Sequence, residues 1–185
     1  MKSIVRNDIL FKLNSLSPDE KHQLSKLIQN HLHTVFKNET GTWGAYKSLG
    51  AEPKIDWDKV SSQISWVFPK IENEKLEFYN SAVNFKKSYL GFLEPIDGQI
   101  VNIKNINGFV IPALAYDTEG YRLGRGKGFY DQALAEFAGK KIGVCFNMSL
   151  CEELPRERHD IKCELIVTEN QIYKVNEAEG VKKWK

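Results

Sequence analysis

Cysteine is scarce in this chain. Cys145, Cys151 and Cys163 are the only ones, they form no CxxC pair, and their number is odd. That argues against a disulfide-stapled secreted scaffold or a cysteine-rich zinc site and reads as reduced cytosolic thiols. Long apolar runs are also missing. No segment approaches the roughly 20 residues that a membrane helix needs. Arg6, Asp8 and Lys12 interrupt the apolar pattern near the N-terminus, where a secretory core would not tolerate them. A cytoplasmic protein with no membrane partner is expected, and the sequons at Asn38 and Asn147 are then chance matches. Excess charge is the third absence. The formal net charge is only +2, so bulk electrostatics give no reason to expect a nucleic-acid partner, and any basic site must be local.

What is present is an ordinary globular composition. The chain has 185 residues, 42% hydrophobic and 27% charged, which suits one domain spanning 1–185. Val5, Ile9, Leu10, Leu13 and Leu16 recur at helical spacing and predict a helix over 4–16. Ser17-Pro18-Asp19-Glu20 combines a capping serine, a proline at the first helical position and a capping-box glutamate. The helix it opens carries Leu24, Leu27, Ile28, Leu32 and Val35 on one face and ends at 38–41. His22, His31 and His33 fall on its polar side, are expected to be solvated, and belong to no recognisable metal-ligand set. Strands are predicted at 42–48, 65–71 and 75–80, with a short helix at 57–64. A continuous apolar strand follows at 108–117, then a helix at 129–139, and strands at 140–146, 163–169 and 171–176. Strands alternating with helices give an α/β fold. It is expected to be a largely parallel sheet flanked by helices in a Rossmann-like three-layer arrangement.

One stretch is unlike the rest. "GYRLGRGKGFYD", Gly120 to Asp131, joins the 108–117 strand to the next helix. Gly124, Gly126 and Gly128 alternate with Arg125 and Lys127, and Arg122 precedes them. Alternating glycines let backbone N–H groups approach a ligand, and a helix start adds the positive end of a dipole. With three cations, the loop suits a polyphosphate. It is neither common nucleotide loop: Lys127 precedes Gly128-Phe129 where a Walker loop has Lys-Ser/Thr, and Phe129 stands where the dinucleotide fingerprint has glycine. A solvated surface turn is the alternative. Asp131 is either a helix-end charge or, beside phosphates, a ligand for Mg²⁺. Asp160 is either a second acid for that ion or an ordinary loop carboxylate.

The same run resembles the signature of the 5-formyltetrahydrofolate cyclo-ligases. Other pieces match in order: Lys2-x-x-x-Arg6, Glu52 after the first strand, "PK" after the second, "LGFLEP" at 90–95, "VIPALAYD" before the loop, and "HDIKCELIVTE" near the end. The resemblance implies conversion of 5-formyltetrahydrofolate to 5,10-methenyltetrahydrofolate, with ATP as co-substrate and Mg²⁺ as cofactor. It implies that Lys2, Arg6, Arg122, Leu123, Gly124, Arg125, Gly126, Lys127, Gly128, Phe129 and Tyr130 bind ATP. Among these Arg125, Lys127 and Tyr130 act in catalysis. Glu52 contacts the pterin, Lys47 is a further substrate-side candidate, and Asp131 with Asp160 holds the metal. A monomer is expected. The chain departs from the family at Phe129, where a tyrosine is usual. That departure keeps open a second reading, a non-catalytic ATP- or folate-binding protein of the same fold. RNA binding through the Arg/Gly loop is a third, disfavoured by the low net charge and the lack of interleaved aromatics.

Overall fold

The computed structural model describes residues 2–80, 84–176 and 180–184. Helix α1 (Lys2–Ser15) buries Ile9 and Leu13, one turn apart, and turns Phe11 outward. Helix α2 (Pro18–Phe36) starts on the predicted capping box. The Ser17 hydroxyl accepts from the Glu20 N–H at 3.2 Å, and the Glu20 carboxylate accepts from the Ser17 N–H at 2.8 Å. Then come β1 (Gly41–Gly44), α3 (Trp57–Val60), β2 (Ile64–Glu72), β3 (Lys75–Tyr79), β4 (Phe85–Lys87) and β5 (Leu93–Pro95). The chain continues through β6 (Gly108–Pro112), β7 (Ala115–Asp117), β8 (Arg122–Leu123), α4 (Phe129–Ala133), β9 (Lys140–Val144) and β10 (Leu150–Cys151). It closes with β11 (Leu165–Val167), β12 (Ile172–Asn176) and β13 (Gly180–Lys183).

The main sheet runs β13-β12-β11-β9-β6-β1-β2-β3. Its centre, from β11 to β2, is parallel. Antiparallel pairs finish both edges. The central strands bury both faces, which is why they read as unbroken apolar runs. Val110, Ile142, Val144 and Val167 face α1 and α2, where Phe36 stacks edge-on against Trp43 and Trp66. Their neighbours Phe109, Ile111, Cys145 and Ile166 face the other way, onto Tyr116 and Leu134. The predicted α/β class and the mostly parallel sheet are both present. No helix among the described residues is long and apolar enough to cross a membrane.

Several predicted boundaries move, each for a local reason. The 108–117 strand is two strands in different sheets. Pro112 has no N–H to extend the ladder and is the last residue of β6. The chain then turns, and the Leu114 N–H donates to the Leu123 carbonyl at 3.0 Å. The 129–139 helix stops at Ala133. Leu134 leaves helical geometry, and Phe137 packs edge-on against Phe109 with ring centroids 4.9 Å apart. The 57–64 helix ends at Val60 because Ile64 already pairs with Gly41 in the sheet. The strand predicted at 42–48 ends at Gly44. His31 and His33 are not simply solvated: their Nδ1 atoms lie 2.8 and 2.9 Å from the carbonyls of Thr168 and Val60. The hairpin β4–β5 and the edge strand β13 were not among the predicted elements.

Candidate active site

A cavity of about 500 Å³ opens beyond the C-terminal ends of the parallel strands β1 and β6, the usual place for a ligand in an open α/β sheet. Residues 45–52, after β1, supply one side. The glycine loop between β8 and α4 supplies another, and α1 and the segment before β11 close it. Lys2, Arg6, Lys47, Glu52, the whole run 122–131 and Asp160 all line it. The structure thus brings together the ATP, substrate and metal candidates expected from the sequence and the family resemblance.

The loop's glycines are there for geometry. Gly126 and Gly128 have φ of +92° and +67°, which disfavour a β-carbon. Gly124 is needed for a different reason: a β-carbon there would lie 2.7 Å from the Arg122 guanidinium. One expectation is weakened. Helix α4 is only five residues long, so its dipole adds little and the loop's side-chain cations dominate.

Lys127 apart, the cations around the cavity are held on acids and carbonyls. Lys2 Nζ lies 2.7 Å from Asp160 and 3.1 Å from Glu157. Burial alone would lower its pKa, but the two carboxylates outweigh that and leave it raised. Arg6 Nε donates to the Gly124 carbonyl at 2.8 Å. Arg122 Nη2 donates to Asp131 at 2.6 Å, while its buried Nε has no partner among the described residues. A buried guanidinium donor left over beside a cavity suits an incoming oxygen ligand. Arg125 Nε donates to Glu52 at 3.0 Å and its Nη2 to the Leu49 carbonyl. Lys127 is exposed and has no ion-pair partner among the described residues.

The opposite wall is less polar. Lys47 Nζ sits 4.7 and 4.6 Å from the centroids of Phe68 and Phe85. Burial lowers its pKa, with Asp58 and Asp56 opposing. Glu52 also accepts from the Leu49 N–H at 2.8 Å. Burial raises its pKa, and Arg125 works against the shift. The Tyr130 ring lies under the Arg122 guanidinium, 5.4 Å from centroid to carbon, and burial pushes its phenol well up. Phe129 packs partly against the core beneath the loop. Sequence reasoning assigned no role to Leu90 and Phe92, which line this wall from the β4–β5 connection, or to Glu157. The "LGFLEP" run was the available signal for the first two.

The donor chemistry fits a hard divalent cation. Asp131 Oδ1 accepts from the N–H of Ile161, the residue after Asp160, at 3.3 Å. The two acids therefore stand on adjoining segments, each already paired with a positive group. Carboxylates completed by phosphate oxygens and water are what Mg²⁺ prefers. Ligand atoms of Glu157, His159 and Asp160 also lie within 4.8 Å of one another, with the Lys2 ammonium bonded to two of these residues.

The model of the 5-formyltetrahydrofolate cyclo-ligase family matches residues 1–169. The 5-formyltetrahydrofolate cyclo-ligase of Mycoplasma pneumoniae is 27% identical over 178 residues, covering 91% of this chain and 98% of that one. The Mycolicibacterium smegmatis 5-formyltetrahydrofolate cyclo-ligase is 43% identical over a local match of 61 residues, 32% of this chain and 31% of its own. Among solved structures, the Aquifex aeolicus 5,10-methenyltetrahydrofolate synthetase superposes with a TM-score of 0.82 at 30% identity. That match covers 98% of this chain and 96% of the other. With a family match over most of its length and a shared fold, this chain belongs to the 5-formyltetrahydrofolate cyclo-ligase family.

Proposed function

We propose that the protein converts 5-formyltetrahydrofolate to 5,10-methenyltetrahydrofolate, using ATP and releasing ADP and phosphate. One observation supports this most directly. A single cavity sets a cation-rich glycine loop against a wall that offers Glu52, Lys47 and apolar surface, and Arg125 touches both sides. The loop suits the triphosphate and the wall suits the folate.

The formyl group on N5 is an amide, so its carbon is a poor electrophile and its oxygen a poor leaving group. Transfer of the γ-phosphoryl group to that oxygen releases ADP and solves both problems. N10 then attacks the activated carbon and loses its proton. The carbon–oxygen bond breaks, and the oxygen departs with its electron pair as phosphate. The protein's work is positioning and charge neutralisation. On this reading Lys2, Arg6, Arg122, Arg125 and Lys127 bind the phosphates, with the loop N–H groups from 122 to 130. Tyr130, whose ring lies under the Arg122 guanidinium, would act in catalysis, and Glu52 would accept from the pterin's amino and ring N–H donors. Asp131 and Asp160 would hold Mg²⁺, which when bound neutralises phosphate charge.

Mixing the protein with MgATP and 5-formyltetrahydrofolate should produce methenyltetrahydrofolate absorbance together with stoichiometric ADP. ATP bound without any absorbance change would favour the non-catalytic reading that Phe129 leaves open.

A further inference from the structure

We propose that Asp117 is a positioning residue that sets both walls of the nucleotide half of the cavity. The proposal rests on the reading of 122–130 as the ATP loop. Asp117 ends β7, is completely buried, and does not line the cavity. A carboxylate in such a place is costly unless donors saturate its oxygens, and here they do. Oδ1 accepts from the N–H groups of Glu119 at 3.0 Å and Tyr121 at 2.9 Å. Oδ2 accepts from the N–H of Leu154 at 3.3 Å and from Arg156 Nε at 3.2 Å.

The division of labour between the two oxygens carries the inference. Oδ1 shapes the turn that leads into Arg122 and the glycine loop. Oδ2 holds the segment that runs directly into Glu157 and Asp160. One side chain therefore fixes the spacing between the loop cations and the acids of the facing segment. Arg156 locks the arrangement: its Nη1 pairs with Glu119 at 2.7 Å, and its guanidinium lies 4.4 Å over the Tyr121 ring. The Gly120 carbonyl accepts from the Cys163 N–H at 2.9 Å, which ties the same turn to the chain beyond Asp160. The folate wall is built from β1, β2 and the segments around them and has no bond to Asp117. Disturbing Asp117 should thus affect ATP and spare the folate.

The test is steady-state kinetics on the full chain, with MgATP binding measured separately by calorimetry. Asp117→Asn keeps the shape, removes the charge and points N–H donors at N–H donors. It should raise the KM and Kd for ATP about tenfold or more, the scale of a lost charge-assisted contact. Measured at saturating ATP, the KM for 5-formyltetrahydrofolate should stay within about twofold. A purely structural defect lowers the active fraction, and so apparent kcat, and moves neither KM. Arg156→Gln, at a partly exposed position, should shift ATP in the same direction if Asp117→Asn fails to fold. Lys127→Ala serves as the control for the ATP-loop reading. If it raises the ATP KM while Asp117→Asn, or Arg156→Gln in its place, does not, the positioning role is overturned and the ATP loop stands. An equal rise in both substrates' KM overturns it too. If Lys127→Ala leaves ATP untouched, the ATP-loop reading has failed and the proposal falls with it.

Discussion

Lys127 and Arg125 are near neighbours with different commitments. Lys127 has no ion-pair partner among the described residues, so Lys127→Ala should leave the melting temperature unchanged and weaken ATP binding about ten- to a hundredfold. Arg125 also pairs with Glu52. Arg125→Ala should therefore weaken ATP and lower the melting temperature as well, because it strands a buried carboxylate. Thermal melts beside ATP titrations separate the two. Glu52 adds a pH signature. Burial raises its pKa above the ordinary 4.5, so the folded protein holds the proton to higher pH than the unfolded chain. The stability it contributes is complete below about 4.5 and is lost as pH rises through the folded value. Glu52→Gln cannot ionise and escapes that loss. Its melting temperature should gain on the parent's as pH is raised from about 4 to 7, while folate turnover falls. A constant gap across that range would contradict a raised Glu52. At the aromatic pair, Phe129→Tyr should change kcat little, since Phe129 already packs as an apolar ring. Tyr130→Phe removes the remaining phenol and should cost more. A large gain from Phe129→Tyr at saturating ATP would mean that the missing hydroxyl is chemically required.

At the scale of elements, the glycine loop separates two kinds of constraint. Gly128 has a left-handed φ, but a β-carbon placed there would meet nothing within 4 Å, so Gly128→Ala meets only backbone strain of about 1–2 kcal/mol. Gly124→Ala would press on Arg122 and loosen its pair with Asp131. It should lower the melting temperature further and weaken ATP. Equal effects would mean that the Arg122–Asp131 pair is not what Gly124 protects. The capping box offers a control remote from the chemistry: Ser17→Ala should cost about 1 kcal/mol and leave the kinetics alone. That cap was legible because its signal is wholly local. So were the apolar strands, whose residues are buried on both faces. The short α4 was not legible, because its end is decided by Phe137 meeting Phe109, a contact with a residue far away in sequence. The break after Pro112 carried a signal in the proline itself, yet the sheet that β7 joins is set by β10 and β8. The β4–β5 hairpin is three residues per strand, too short for its alternation to stand out.

For the molecule as a whole, the charged lining of the cavity is assembled from four distant stretches: the start of α1, residues 47–52, the glycine loop and the segment at 157–160. Only the glycine loop announced itself by composition. Lys2, Arg6 and Glu52 are ordinary residues in a sequence, and only resemblance to a family gave them a role; Asp160 could be read from the sequence alone as either a metal acid or a plain loop carboxylate, because their meeting is a product of the tertiary fold. The Lys2–Asp160 contact spans nearly the full chain. MgATP should therefore slow amide exchange together in the first turns of α1, in 122–130 and around 157–161. Protection confined to the glycine loop would argue against a shared nucleotide site. Arg125 adds a last consequence. Its Nε and Nη2 are committed to Glu52 and the Leu49 carbonyl, so a phosphate that recruits the same face of the guanidinium competes with Glu52 for it. A phosphate that draws it away leaves Glu52 free to accept the pterin's N–H donors, and a pterin that satisfies Glu52 frees Arg125 for phosphate. On the proposed reading the two substrates are thermodynamically linked through one side chain: each tightens the other, and by the same factor.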